Sequence, residues 1–236
     1  MKNSEGEALL KDRRLLFAEL SKRLKDYFGE PERPDGLNPL DVLIETILSQ
    51  NTNDRNRDIA FKQLKQHFPT WEETEKAPAE SVEEAIRPAG LARQKAPRIQ
   101  HIIKWIENEY GTLDIGFICD WDIDEVIQTF TQLKGIGIKT ISVVLMFACG
   151  KNVFPVDTHI HRISKRLGLI SEKTSAEKAH SILGDWVPPE EAYSVHINLL
   201  RLGRTICLAR KPKCDKCPVW DLCDYGRQHK DQGNPR

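Results

Sequence analysis

Lys139 stands two residues after Gly137 in the stretch LKGIGIKT (133–140), and Asp157 and His159 stand in PVDTH (155–159). Each stretch precedes a run that reads as a helix, so the amine and the carboxylate both fall at helix starts. A helix dipole disfavours positive charge at its N-terminus, and an uncharged lysine amine is a nucleophile able to attack a sugar carbon and form a Schiff base. A carboxylate close by could stabilise positive charge developing on the sugar and move protons. A surface lysine and an N-cap aspartate fit the same spacing without any chemistry. His159 fits a pocket residue or a satisfied core histidine equally well.

The cysteines are the second chemical group. Six are present, and four of them, Cys207, Cys214, Cys217 and Cys223, fall in the pattern C-x6-C-x2-C-x5-C; Cys119 and Cys149 stand alone. Four thiolates can close a tetrahedral zinc site or hold an iron–sulfur cluster. A zinc ribbon ordinarily has two C-x2-C knuckles, whereas here one such pair is flanked by two single cysteines at short range. The spacing favours a cluster wider than one ion and leaves zinc open. Between the first two cysteines runs LARKPK, so Arg210 and Lys211 sit on a loop tied at both ends. They are either solvated surface charge or cations held in register for phosphate.

The elements that must position these groups are helical. Apolar residues recur at three- and four-residue intervals over 15–29 and pack densely over 39–49, with ERPDGLNP as the linker between. Further helices are expected near 54–67, 81–87, 95–110, 122–132, 139–149, 159–167, 175–183 and 189–203. Ser81 with Glu84, and Asp122 with Glu125, have capping-box spacing. Val153–Val156 is strand-like but broken by Pro155, and no partner strand is evident. Gly135 and Gly137 allow a tight turn anchored by Ile136, giving either a helix–hairpin–helix whose N–H groups can hold a phosphate or a plain turn between helices. The chain from about Gly226 onward reads as an untied tail.

Composition sets the limits. The 236 residues can bury a sizeable core in one domain or two. No apolar run reaches the length of a membrane span, and the N-terminus has no signal-like segment, so a reducing, cytoplasmic setting is expected. With 35 basic and 35 acidic residues the net charge is zero, so a nucleic-acid partner would require positive charge gathered on one face.

Taken together, LKGIGIKTISVVLMFACG, FPVDTHIHRISKRLGL and the cysteine pattern, in that order, resemble the endonuclease III branch of the helix–hairpin–helix–GPD superfamily over about residues 38–225. The resemblance implies an all-α, two-lobed fold: a six-helix lobe at 39–150, and a discontinuous second lobe at 1–38 and 151–236. It implies a bifunctional DNA glycosylase and abasic-site lyase removing oxidised pyrimidines, with Lys139 as Schiff-base lysine and Asp157 as essential aspartate. Cys207, Cys214, Cys217 and Cys223 would ligate a [4Fe–4S] cluster that is structural rather than catalytic. The partner would be double-stranded DNA with a damaged base or abasic site, the enzyme a monomer, nucleoid-associated in a prokaryote. Leu91 in AGLARQKA matches a loop that wedges into the duplex, with Gly135, Gly137, His159, Arg210 and Lys211 as further DNA contacts. ILSQNTND (47–54) departs from the family's LLSAQATD, so either Asn51 or Gln50 would fill the gap left by the extruded base. An enzyme acting mainly as an abasic-site lyase, a glycosylase for another lesion, and a noncatalytic DNA-binding module with a structural metal are the alternatives.

Overall fold

Asn38 begins the central helix by accepting hydrogen bonds from the backbone N–H groups of Leu40 and Asp41, with Pro39 in the first turn where its missing N–H costs nothing. The helix that follows, α2 (Pro39–Ser49), buries Leu40, Leu43, Ile44, Ile47 and Leu48 completely. In this computed structural model, residues 2–230 are described, with side chains from 12 to 229. The α-helices are α1 (Lys2–Phe28), α2, α3 (Asp54–His67), α4 (Trp71–Lys76), α5 (Ala79–Ala85), α6 (Ala92–Tyr110), α7 (Ile123–Thr131), α8 (Ile138–Phe147), α9 (Thr158–Leu167), α10 (Ala176–Gly184), α11 (Ala192–Thr205) and α12 (Asp224–Lys230). No strand occurs among the described residues, and the fold is all-α.

The chain divides into two compact units, one of Pro34–Lys151 and one joining Met1–Arg33 to Asn152–Arg236. In the first, α2 packs on α8 and α3, and Ile99, Ile102, Ile103 and Ile106 of α6 complete the core. Seven α-helices run through it where six are expected. The additional one is α4, a single polar-looking turn (WEETEK) whose capping box uses Thr70 and Glu73. Helix α5 begins at Ala79 behind Pro78, so Ser81 is not a cap; Asp122 does cap α7. Cys119 and Cys149 do not stand alone: they form a disulfide joining the 3-10 turn Gly116–Cys119 to the chain just beyond α8. Sequence spacing alone could not reveal this pairing, because the partners are 30 residues apart and only the packing of these elements brings them together.

In the second unit Phe17, Leu20 and Leu24 line one face of α1 and are buried with Val195, Leu199 and Leu202 of α11. The last carbonyls of α1 have no helical partner, and α11 supplies donors: Arg201 to Phe28 and Asn198 to Gly29, with the Tyr193 hydroxyl reaching Glu32. Helix α1 starts well before residue 15. The tail expected from Gly226 is instead helical as far as Lys230, and residues 231–236 lie outside the described part.

Candidate functional site

Between α7 and α8 the chain turns at Lys134–Gly137, pinned by buried Ile136. Gly135 has φ +97, a left-handed backbone that strains other residues, and an added Cβ would strike the Arg98 side chain. Gly137 differs. Its φ is −102 and nothing lies within 4 Å of an added Cβ, so the fold itself does not require glycine there. Gly137 caps α8 without a side chain, and its carbonyl accepts from the Thr140 N–H at 2.9 Å and the Ile141 N–H at 3.2 Å. Lys139 is half-buried in that first turn.

The Gln50 carboxamide is held at both ends: its oxygen accepts from Arg98 at 3.1 Å and its Nε2 donates to the Gly135 carbonyl at 3.2 Å. Both partners are satisfied by only one orientation of the amide, and that orientation ties the α2–α3 turn to the hairpin. Asn51, the next residue, is exposed with φ 55. Among the described residues three non-glycine residues have left-handed backbone: Asn51, Leu91 (φ 51) and Lys211 (φ 50). Such conformations cost about 1 kcal/mol or more each and gather at functional sites. All three are positions the sequence marks for DNA contact, and Leu91 is 47% exposed.

In the other unit Asp157 is the N-cap of α9, its Oδ1 accepting from the Ile160 N–H at 2.8 Å. The preceding Phe154–Val156 is buried and held by two histidines absent from the sequence-based set. His196 Nδ1 lies 3.0 Å from the Pro155 carbonyl, and the Val156 N–H meets the His180 ring at 3.3 Å. His159 packs on Gly203, where a Cβ would come within 2.8 Å of its ring, and its Nδ1 accepts from Arg162 at 3.1 Å. That seat against α11 makes His159 part of the packing. Arg162 also donates to the Cys207 carbonyl at 2.8 Å, and Arg166 to Cys207 Sγ at 3.2 Å and the Leu208 carbonyl at 2.7 Å. Successive turns of α9, begun by Asp157, therefore grip the start of the cysteine loop. Neither arginine is recognisable from spacing, since their acceptors are mostly backbone carbonyls more than 40 residues away.

Cys207, Cys214, Cys217 and Cys223 line one hollow together with Arg166, Trp220 and Tyr225. Among the described residues no three His, Cys, Asp or Glu side chains converge as a single metal ion requires. Four thiols around one hollow but not around one point fit a cubane better than a zinc ion. Burial, reinforced by the neighbouring sulfurs, pushes Cys217 up to about 12, and burial raises Cys214 and Cys223 as well. A cationic centre offsets that cost and makes thiolates the stable form. Gly226 is needed for closure, because a Cβ there would lie 2.6 Å from the Trp220 carbonyl. On the loop, Lys213 is tied to the Thr205 carbonyl at 3.0 Å while Arg210 and Lys211 are exposed.

Comparison with known proteins decides the family. The HhH-GPD superfamily of base-excision DNA repair proteins matches residues 44–189, and the iron–sulfur binding domain of endonuclease III matches 207–223. The chain belongs to this superfamily, in its endonuclease III family. It is 34% identical to endonuclease III of Bacillus subtilis over 196 residues, covering 83% of this chain and 85% of that one. Its fold is similar to that of an endonuclease III in a non-covalent complex with DNA, at a TM-score of 0.79 and 29% identity, covering 93% of this chain and 98% of the other. A trapped covalent endonuclease III–DNA intermediate is similar at 0.75 and 28%, covering 89% and 95%. As an endonuclease III family member the chain is a DNA glycosylase of base-excision repair and carries a [4Fe–4S] cluster. Lys139 lies in the Pro34–Lys151 unit and Asp157 in the other. Among the described residues no helix is long and apolar enough to cross a membrane.

Proposed function

We propose that this DNA glycosylase is bifunctional, removing damaged bases, oxidised pyrimidines foremost, and then cutting 3′ to the abasic site. The observation that carries the reading is the placement of Lys139 in the first turn of α8, two residues after a glycine that the fold itself does not need. The open space before Gly137 suits close approach of a phosphate to first-turn N–H groups, bringing the sugar of a flipped nucleotide toward the Lys139 amine.

The amine attacks C1′ and the base departs with the electrons of the glycosidic bond, accepting a proton. Ring opening gives an imine. Loss of a C2′ proton then expels the 3′ phosphate as leaving group by β-elimination. Asp157 stabilises positive charge on the sugar and assists proton movement, its carboxylate aimed by the N-cap. Leu91 wedges into the stack, and Asn51 meets the orphan base, since Gln50 is engaged within the protein. Cys207, Cys214, Cys217 and Cys223 hold the cluster, which serves as a template for the loop bearing Arg210 and Lys211. Their cations meet the phosphate backbone.

Borohydride reduction on abasic duplex tests the assignment. Wild type is trapped covalently and Lys139→Ala is not, while retaining duplex binding. Trapping that survives in Lys139→Ala moves the nucleophile elsewhere; none with wild type defeats the lyase reading. Single-lesion duplexes assayed with and without alkali then separate base removal from strand cleavage and identify the lesion.

A further inference from the structure

Lys95 is the one fully buried lysine of the described core, 2% exposed in the second turn of the exposed-loop-proximal end of α6. Its ammonium donates to the Leu48 carbonyl at 2.8 Å and to the Ala89 carbonyl at 2.9 Å. Burial lowers its pKa to about 8, with Arg98 adding to the effect. An apolar core residue would avoid that desolvation, so the site favours lysine for what it joins.

Leu48 lies in the last turn of α2, three residues before Asn51; Ala89 ends a 3-10 turn, two residues before Leu91. The Lys95 backbone N–H also donates to the Leu91 carbonyl at 3.0 Å. One residue thus grips the Leu91 turn twice and the Asn51 turn once, and both turns carry left-handed, exposed non-glycine residues. One turn further along α6, Arg98 holds Gln50.

We propose that Lys95 is a positioning residue for lesion recognition, fixing the Leu91 wedge against the Asn51 turn so that insertion and gap filling occur together. This rests on the reading that both turns enter the duplex. An isolated structural role would lower stability without changing which DNA is preferred. A spacing role changes preference, because wedge and gap residue would no longer fit one step of the stack.

The test uses the holoprotein and duplexes carrying a tetrahydrofuran abasic analogue opposite 2-aminopurine, whose fluorescence reports unstacking of the orphan base. Lys95→Met keeps the volume and removes the ammonium; Lys95→Gln serves the same comparison should the Met variant fail to fold. The expected result is at least a tenfold loss of preference for the abasic over the undamaged duplex, and loss of the fluorescence change. Undamaged-duplex affinity and its salt slope stay as in wild type, since neither depends on the two turns. A folded Lys95→Met or Lys95→Gln variant with wild-type preference and fluorescence overturns the proposal. Leu91→Ala and Asn51→Ala serve as controls: if neither alters preference or fluorescence, the underlying reading of the turns fails, whatever Lys95 does.

Discussion

His196 Nδ1 lies 3.0 Å from the carbonyl oxygen of Pro155, two residues ahead of Asp157. A carbonyl can only accept, so Nδ1 carries the proton and the ring is fixed in that tautomer or charged. His196 is 3% exposed, and its bond satisfies a buried carbonyl in the segment that leads into the cap of α9. His196→Leu is expected to lose about 1–3 kcal/mol of stability, the usual penalty for an orphaned buried acceptor. It is also expected to lower the single-turnover rate more than abasic-DNA affinity. His196→Asn, which restores an N–H donor, should recover part of the rate. Equal losses of rate and affinity would reduce His196 to packing.

Asp157 has two roles that substitution can separate. Asparagine caps a helix about as well as aspartate, so Asp157→Asn should melt close to wild type while turning over roughly 10²–10⁴ times more slowly. Asp157→Ala removes the cap as well and should cost about 0.5–2 kcal/mol in addition. Thermal melts alongside single-turnover cleavage make the comparison. An Asp157→Asn enzyme of wild-type rate would leave the residue a cap alone.

The two hairpin glycines should behave oppositely. Gly135→Ala forces a side chain into φ +97 and against Arg98, and should destabilise the fold. Gly137→Ala meets open space at an ordinary φ, so its melting temperature should stay near wild type. DNA affinity of Gly137→Ala should nevertheless fall, by roughly tenfold or more if a methyl displaces one well-made phosphate contact worth about 1.5–3 kcal/mol. Filter binding beside calorimetry decides. Undiminished affinity would mean that no phosphate approaches this turn.

Most of the helices are legible because each carries its own periodicity: 39–49 and 54–67 coincide with α2 and α3 at both ends. Helix α4 is not, since six residues with one tryptophan show no period, and its capping box becomes visible only once Thr70 is known to precede a helix. The cysteine ligand set and the hairpin are local in sequence and were readable as candidates. The residues that hold them in place were not. Lys95, Arg162 and Arg166 bond mainly to backbone carbonyls, and a carbonyl has no sequence identity. Gln50 likewise shows its engagement only when Arg98 and Gly135 are brought beside it.

The Cys119–Cys149 disulfide closes a loop containing α7 and α8, the helices flanking the hairpin. Loop-closure entropy for a separation of 30 residues gives about 3–4 kcal/mol. Cys119→Ser with Cys149→Ser should therefore melt lower than wild type under non-reducing conditions and equal to wild type in excess reductant. Cluster absorption should be unaffected, because Cys207, Cys214, Cys217 and Cys223 are separate from the pair. Identical melting in both conditions would show that the bond contributes nothing to stability.

The last prediction joins the cluster to the charges on its loop. Lys211 adopts φ 50, and the loop is fixed by Cys207 at one end and Cys214 at the other, with Arg166 holding Leu208 and Ala209. A flexible basic loop would pay ordering entropy on meeting a phosphate backbone, whereas one held by a cluster has already done so. Arg210→Gln and Lys211→Gln should each weaken duplex binding about equally across sequences and reduce the magnitude of the salt slope by about 1. Lys211→Gly separates strain from charge: it relieves the left-handed backbone yet should lose the same slope. Cys217→Ala should bleach the absorption near ~400 nm and release the loop, lowering the slope by itself. In that background Arg210→Gln and Lys211→Gln should have little further effect, because their cations are no longer held in register. Full additivity of the charge and cluster substitutions, measured by titration across salt concentrations, would separate the loop's DNA role from the cluster.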